Sequence, residues 1–141
     1  MGGGKRVASC DELIRAVAGV LVCVLAYPAV ANGQWQVMAE SPSETTSIEL
    51  SSIERTAHRV SFRVRHALRG GQVDLNTQRP MREILAKRMV DCRTRRVATL
   101  SRAVFSDNDA LIHYQAVRPA KAEWMEMTAD DPLFKLLCGT L

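Results

Sequence analysis

The sequence predicts an α+β fold that is mostly β, with antiparallel strands first and one short covering helix at the end. Two observations carry this prediction. Arg59–Leu68 alternates apolar and polar residues with a period of two, which is typical of a strand with one buried face. The helix signals come last: Asp131, Pro132 and Gly139 occupy the preferred N-cap, first-turn and C′ positions.

The other strands are predicted from β-branched or alternating segments between turn residues. In chain order the predicted strands are Gln34–Met38, Thr45–Leu50, Arg59–Leu68, Met81–Cys92, Arg95–Phe105 and Leu111–Val117. Ser51–His58 is either a turn or a continuation of the second strand. Gly70–Pro80 is predicted as a loop, and Trp124–Met127 as a short extended or irregular segment.

The same alternation assigns side chains to the two faces of each strand. Arg63 and Arg65 share the polar face of the third strand, opposite its apolar residues. Arg88 is the exception on the apolar side of the fourth strand. In the fifth strand, strict alternation places Arg102 on the face opposite Thr99.

Residues 1–31 have the features of an export signal. Basic residues precede an apolar run, and the small residues Ala29-Val30-Ala31 suit a signal peptidase, so cleavage is predicted after Ala31. An uncleaved membrane anchor is the alternative, although the run is shorter than the roughly 20 residues that span a bilayer. Residues 32–141 are then the mature domain, with no stable membrane span.

The mature chain keeps two cysteines, Cys92 and Cys138. An even number of cysteines in an exported domain indicates a disulfide. Two free thiols or a two-cysteine metal site remain the alternatives. The predicted terminal helix has only about two turns and is too short to persist alone in water, so a Cys92–Cys138 bridge would clamp it to the sheet.

Arginine is the distinctive residue type, with 13 Arg and three Lys in residues 32–141. Arg63 and Arg65 share one strand face, and Arg93, Arg95 and Arg96 follow the next strand. If the two strands are neighbours, these arginines form a candidate surface for carboxylates, sulfates or phosphates. A solvated face without a ligand is the alternative. The whole chain has a net charge of only +4, so nucleic acid is not expected as a partner.

The sequence lacks three common catalytic motifs: it has no Gly-rich phosphate loop, no His-Glu-x-x-His and no Gly-x-Ser-x-Gly. His58, His66 and His113 are scattered, and Asp107 and Asp109 read as a solvated turn. No catalytic residue, metal or cofactor is therefore expected. Catalytic groups converge in space rather than in sequence, so an unrecognised enzyme stays an alternative.

Several features together resemble one protein family. They are Trp35-Gln36-Val37 in a first strand, Asp91-Cys92-Arg93 at a strand end, a strand pair running to Tyr114, Trp124 before Asp131-Pro132, and Cys138 ending the terminal helix. Over Gln34–Leu141 this arrangement is similar to the surface-adhesin protein E-like family of small exported bacterial proteins. The resemblance implies about six antiparallel strands in a curved sheet, with a C-terminal helix tethered to it by a disulfide between Cys92 and Cys138.

The resemblance also implies a function. The studied adhesin of the family binds host matrix proteins such as vitronectin and laminin, and dimerises. The chain lacks a lipidation signal, and no ligand-contacting segment aligns residue by residue, so only the two cysteines carry over. We expect an exported, non-catalytic binding protein in the periplasm, at the cell surface or secreted, with a protein ligand and a homodimer as expected partners. A periplasmic accessory or structural envelope protein is the alternative.

Overall fold

The computed structural model describes residues 33–139, so the predicted signal peptide lies outside the described residues. They form one antiparallel sheet, one α-helix and a short 3-10 helix at Pro119–Lys121. The elements are β1 (Trp35–Glu40), β2 (Glu44–Thr56), β3 (Arg59–Leu68), β4 (Met81–Asp91), β5 (Arg96–Ser106), β6 (Leu111–Ala116), β7 (Trp124–Glu126) and α1 (Pro132–Cys138). This confirms the predicted α+β, mostly β class. No helix within residues 33–139 is long and apolar enough to cross a membrane.

Strands β1 to β6 lie in the sheet in the order in which they follow along the chain. Each therefore pairs with its sequence neighbours through a short connection, which is the simplest antiparallel arrangement. The three-residue β7 pairs with the start of β5, whereas β6 pairs with its second half. The extended segment predicted at Trp124–Met127 is thus a seventh strand.

The strand bounds agree with the sequence prediction to within one or two residues, except in β2. The ambiguous segment Ser51–His58 continues β2 as far as Thr56. Its pairing with β3 is irregular between Glu49 and Glu54. A bulge of this kind adds unpaired residues to one strand while the strand continues. The alternation of apolar and polar residues is then interrupted, and the sequence pattern resembles that of a loop.

Helix α1 covers one face of the sheet, which we call the helix face; the opposite one is the open face. The buried core on the helix face consists of Ile48, Val60, Phe62, Val64, Val90 and Val97, with Leu137 and Cys138 of α1. Apolar side chains on both sides remove each other from water, which is the dominant favourable term in folding.

Both ends of α1 are held in place. The Asp131 side chain accepts hydrogen bonds from the backbone N–H groups of Leu133 and Phe134, as expected of an N-cap. At the other end, Cys138 is bonded to Cys92 with 5.6 Å between the Cα atoms, and Arg55 donates a hydrogen bond to the Leu137 carbonyl. Gly139 ends the helix with φ of −70°, so it does not adopt the left-handed conformation common at C′.

A β-bulge at Leu100 changes the faces of β5. Lys87 pairs with Ser101 and Arg88 with Thr99, so Leu100 is the extra residue. Thr99 and Arg102 consequently lie on the same face, the helix face. The prediction that they lie on opposite faces was wrong, because strict alternation fails wherever a strand carries an extra residue.

Candidate functional site

The open face holds several of the predicted arginines. Strands β3 and β4 are neighbours, as the arginine hypothesis required. Arg63 and Arg65 lie on the open face of β3, and Arg96 lies on the open face of β5 in a row with Asp91 and Arg59. Arg93 and Arg95 are exposed in the β4–β5 turn. The row of Arg59 lies roughly 13 Å along β3 from Arg63, at about 3.3 Å per residue.

Two arginines of the open face stack on tryptophans. The Arg65 guanidinium carbon lies 5.4 Å from the centre of the Trp35 ring, and that of Arg59 lies 5.5 Å from the Trp124 ring. Both distances suit a cation–π interaction. Trp124 also donates a hydrogen bond from its indole N–H to the Pro119 carbonyl, at 3.2 Å. Each guanidinium therefore has one face on an aromatic ring.

Small residues lie near these arginine–tryptophan pairs. Ser47 stands opposite Arg65, and Ala98 stands opposite Trp124. Both are buried, as is Ser61. The alternation identified the polar face of β3 correctly, but this face is only partly exposed, since Ser61 on it is buried.

Arg63 has a different partner, the buried carboxylate of Glu49. The Arg63 Nη2 contacts Glu49 Oε2, and the side chains are 61% and 7% exposed respectively. A Cβ atom at Gly33 would clash with Glu49 Oε1, so the backbone there passes directly over this carboxylate. A buried carboxylate requires a charged partner. Arg63 is thus a structural cation as well as a surface one.

We expect Arg63→Gln to lower the free energy of unfolding by about 1–3 kcal/mol, since a buried acceptor then loses its partner. Urea unfolding monitored by circular dichroism measures this change. Adding Glu49→Gln should recover part of the loss, because the double variant buries no unpaired charge.

Arg82→Gln is the matched control for Arg63→Gln. Arg82 pairs with Asp109 at 3.0 Å, but Asp109 is 81% exposed. Its removal should change the free energy of unfolding by no more than about 1 kcal/mol, as for exposed ion pairs. Equal effects of the two substitutions would show that Glu49 does not depend on Arg63.

The buried Asp91 organises the turn that carries Arg93 and Arg95. Its Oδ1 accepts hydrogen bonds from the backbone N–H groups of Arg93 at 3.1 Å and Thr94 at 3.0 Å. Its Oδ2 lies 3.2 Å from His58 Nε2 and 3.5 Å from Arg59 Nε. Burial by itself raises the pKa of Asp91, but the hydrogen bonds from Thr94, the charge of His58 and the hydrogen bond from Arg59 outweigh burial and hold that pKa below its usual value. An ionised Asp91 therefore fixes the turn.

Several members of this surface were missed by the sequence analysis. Arg59 and Lys87 lie on the same face as Arg63, and Lys87 stands directly opposite Arg63. Strand alternation would have identified both. Arg59 is four residues before Arg63 and so shares its face, and Lys87 is adjacent to Arg88 and so lies on the opposite face. The tryptophan partners had no such signal, since their positions depend on the register of strands distant in sequence.

We call Trp35, Trp124, Arg59, Arg63, Arg65, Lys87 and Arg96 the open-face cluster. Planar guanidinium groups held against aromatic rings keep N–H groups available for carboxylate, sulfate or phosphate oxygens. The cluster is therefore suited to binding an anionic surface. Within residues 33–139, no three His, Cys, Asp or Glu side chains are grouped as a metal site requires.

Comparisons with known proteins connect this fold to one family. A family model described as surface-adhesin protein E matches residues 35–139. A structure of Haemophilus influenzae protein E is similar with a TM-score of 0.52 and 16% identity, covering 79% of this chain and 87% of that one. A second crystal form of that protein gives 0.53 and 16%, with 79% and 91% covered. At this identity the structural likeness shows the fold alone. No curated protein sequence matches.

Proposed function

Because the chain belongs to the surface-adhesin protein E family, we propose that it is an exported, non-catalytic binding protein whose open-face cluster binds an anionic surface ligand, such as a host matrix protein. The proposal includes export through a signal peptide at residues 1–31 and a binding domain over residues 32–141. The observation that carries it is the arrangement of arginines with two tryptophans on the sheet face that α1 leaves uncovered.

The cations of the cluster that lack a salt bridge support an electrostatic mode of binding. Within the described residues, Lys87 and Arg96 form no ion pair, and both are exposed. Arg63 and Arg65 are already engaged by Glu49 and Trp35. The exposed cations therefore attract the ligand, whereas the engaged arginines keep the surrounding surface in place.

We expect Lys87→Glu/Arg96→Glu to weaken binding to a heparin column, so that the protein elutes at lower salt. Two charges change sign where they face the ligand, and the interaction of exposed charges is screened beyond about 8 Å at physiological ionic strength. The measurement is the eluting salt concentration, together with the melting temperature. Stability should change little, because such surface substitutions usually act within about 0.5 kcal/mol.

Arg82→Glu/Lys135→Glu is the matched control, since it also reverses one Lys and one Arg. Arg82 pairs with Asp109 at the β5–β6 turn, and Lys135 lies on α1, so both are outside the open-face cluster. A cluster-specific interaction predicts a much larger loss from the first pair. If both double variants elute at equally reduced salt concentrations, the effect depends on net charge alone, and the proposed binding surface is contradicted.

A second candidate function follows from the edge of the sheet. Within the described residues, β6 pairs only with β5, and it exposes Leu111 and Tyr114 by 52% and 60%. An unpaired strand edge can add a strand from another chain. This edge favours an envelope accessory protein or a homodimer. Labelling of intact cells with a membrane-impermeant reagent distinguishes the two candidate functions. A labelled protein supports the surface binding protein, whereas a protein that stays unlabelled inside the periplasm supports the accessory role.

A further inference from the structure

A second cationic site lies on the helix face, away from the open-face cluster. It is a cleft of about 310 Å³, and its lining includes Arg88, Arg102 and Thr99 together with the apolar side chains of Leu68, Ile84 and Ala86. Small-molecule sites in proteins usually measure roughly 300–1,000 Å³ and combine apolar walls with a few polar groups. The cleft has the size and composition of a site for a small ligand.

The bulge in β5 brings the two arginines together. Arg88 on β4 pairs with Thr99, and Arg102 on β5 pairs with Ala86, so the arginines occupy diagonal positions on neighbouring strands. Diagonal neighbours lie about 7–8 Å apart, within reach of long side chains. Without the extra residue Leu100, Arg102 would lie on the other face. Bulges are frequent where a strand must redirect a side chain toward a functional site.

The two arginines have no ion-pair partner within reach. Among residues 33–139, neither Arg88 nor Arg102 forms a salt bridge. The Arg88 Nε atom is buried and has no hydrogen-bond partner. Burial lowers the pKa of Arg88, and the charge of Asp131 opposes that shift. A partly buried guanidinium charge without an ion-pair partner is unfavourable, so a bound oxyanion would supply the counter-charge that the protein does not.

The one carboxylate in the cleft is already occupied. Glu44 Oε1 lies 2.5 Å from His66 Nδ1 and accepts a hydrogen bond from the Thr46 hydroxyl at 2.9 Å. Hydrogen bonds from His66 and then Thr46 lower the pKa of Glu44, so it remains ionised beside its histidine. Glu44 therefore does not serve as the counter-ion of Arg88 and Arg102.

We propose that this cleft binds a small amphiphilic carboxylate, with its carboxylate between Arg88 and Arg102 and its short apolar chain against Leu68, Ile84 and Ala86. The planar fork of each guanidinium matches the two oxygens of a carboxylate. The apolar wall selects a ligand with a hydrocarbon part over a bare anion. This site is independent of the open-face cluster, which lies across the sheet.

Isothermal titration calorimetry of the purified protein with octanoate tests the proposal. We expect one saturable site per chain, and no comparable binding of octanol, which lacks the charge, or of sulfate, which lacks the chain. Arg102→Met should weaken octanoate at least roughly tenfold, equivalent to about 1.4 kcal/mol. Arg102 is exposed and makes no ion pair among the described residues, so this variant should fold normally.

Arg93→Met is the matched control, because Arg93 is exposed in the β4–β5 turn, five residues beyond Arg88 and outside the lining of the cleft. It should leave octanoate binding unchanged. Absence of octanoate binding, equal binding of octanol or sulfate, or an Arg102→Met variant with unchanged affinity would each overturn the proposal. Arg88→Met should also abolish binding; if that variant does not fold, the outcome for Arg102→Met decides. Heparin retention of Arg102→Met should match that of Arg82→Met, which separates this site from the open-face cluster.

Discussion

Cys138→Ser lowers the free energy of unfolding by about 2–5 kcal/mol, the loss expected when a disulfide is removed from a small exported domain. The bridge joins residues 46 apart in sequence. By the chain-entropy estimate, closing a loop of that length stabilises the fold by about 4 kcal/mol. Helix α1 has seven residues, and an isolated helix of that length does not persist in water. The bridge therefore stabilises the whole fold and also anchors α1 covalently to the sheet.

Two measurements check this expectation. Urea unfolding gives the change in free energy, and limited proteolysis should show early cleavage in the last ten or so residues of the variant, since α1 loses its covalent anchor. The unreduced parent protein should have an intact mass two hydrogens below that of the reduced form. Unchanged unfolding and unchanged proteolysis in Cys138→Ser would mean that apolar docking of α1 suffices without the bridge.

Phe62→Ala lowers the free energy of unfolding by about 3–5 kcal/mol, the usual result of removing a buried aromatic side chain. Phe62 is fully buried in the core between the sheet and α1, and within residues 33–139 it is the largest of the fully buried side chains. Its loss removes apolar contacts and leaves a cavity that neighbouring strands fill only in part. Thermal and urea unfolding of the variant measure the change.

Leu75→Ala is the control for Phe62→Ala. Leu75 is 86% exposed in the loop between β3 and β4, so its truncation should act within about 0.5 kcal/mol. If Phe62→Ala were equally mild, Phe62 would not be a core residue, and the assignment of the helix face as the buried one would be wrong. A large difference between the variants supports that assignment.

Local patterns in the sequence determined much of the architecture. The alternation in Arg59–Leu68 predicts β3 with its observed bounds, because a strand with one buried face repeats every two residues. Asp131 and Pro132 predict the start of α1, because the capping of a helix depends only on nearby residues. The pairing of Cys92 with Cys138 was predicted because residues 32–141 hold just these two cysteines, and the structure confirms it.

Tertiary structure alone decided the features that depend on register. The bulge at Leu100 places Arg102 beside Arg88. No local residue pattern predicts that a strand contains such an extra residue. The stacking of Arg65 on Trp35, across the strand between them, depends on which strands are neighbours and how they are aligned. The same holds for Glu49, which lies in an ordinary alternating segment but is buried beneath Gly33 and paired with Arg63. The sequence determines the elements through contacts between near neighbours, whereas both candidate sites arise from contacts between strands, which exist only once the sheet has formed.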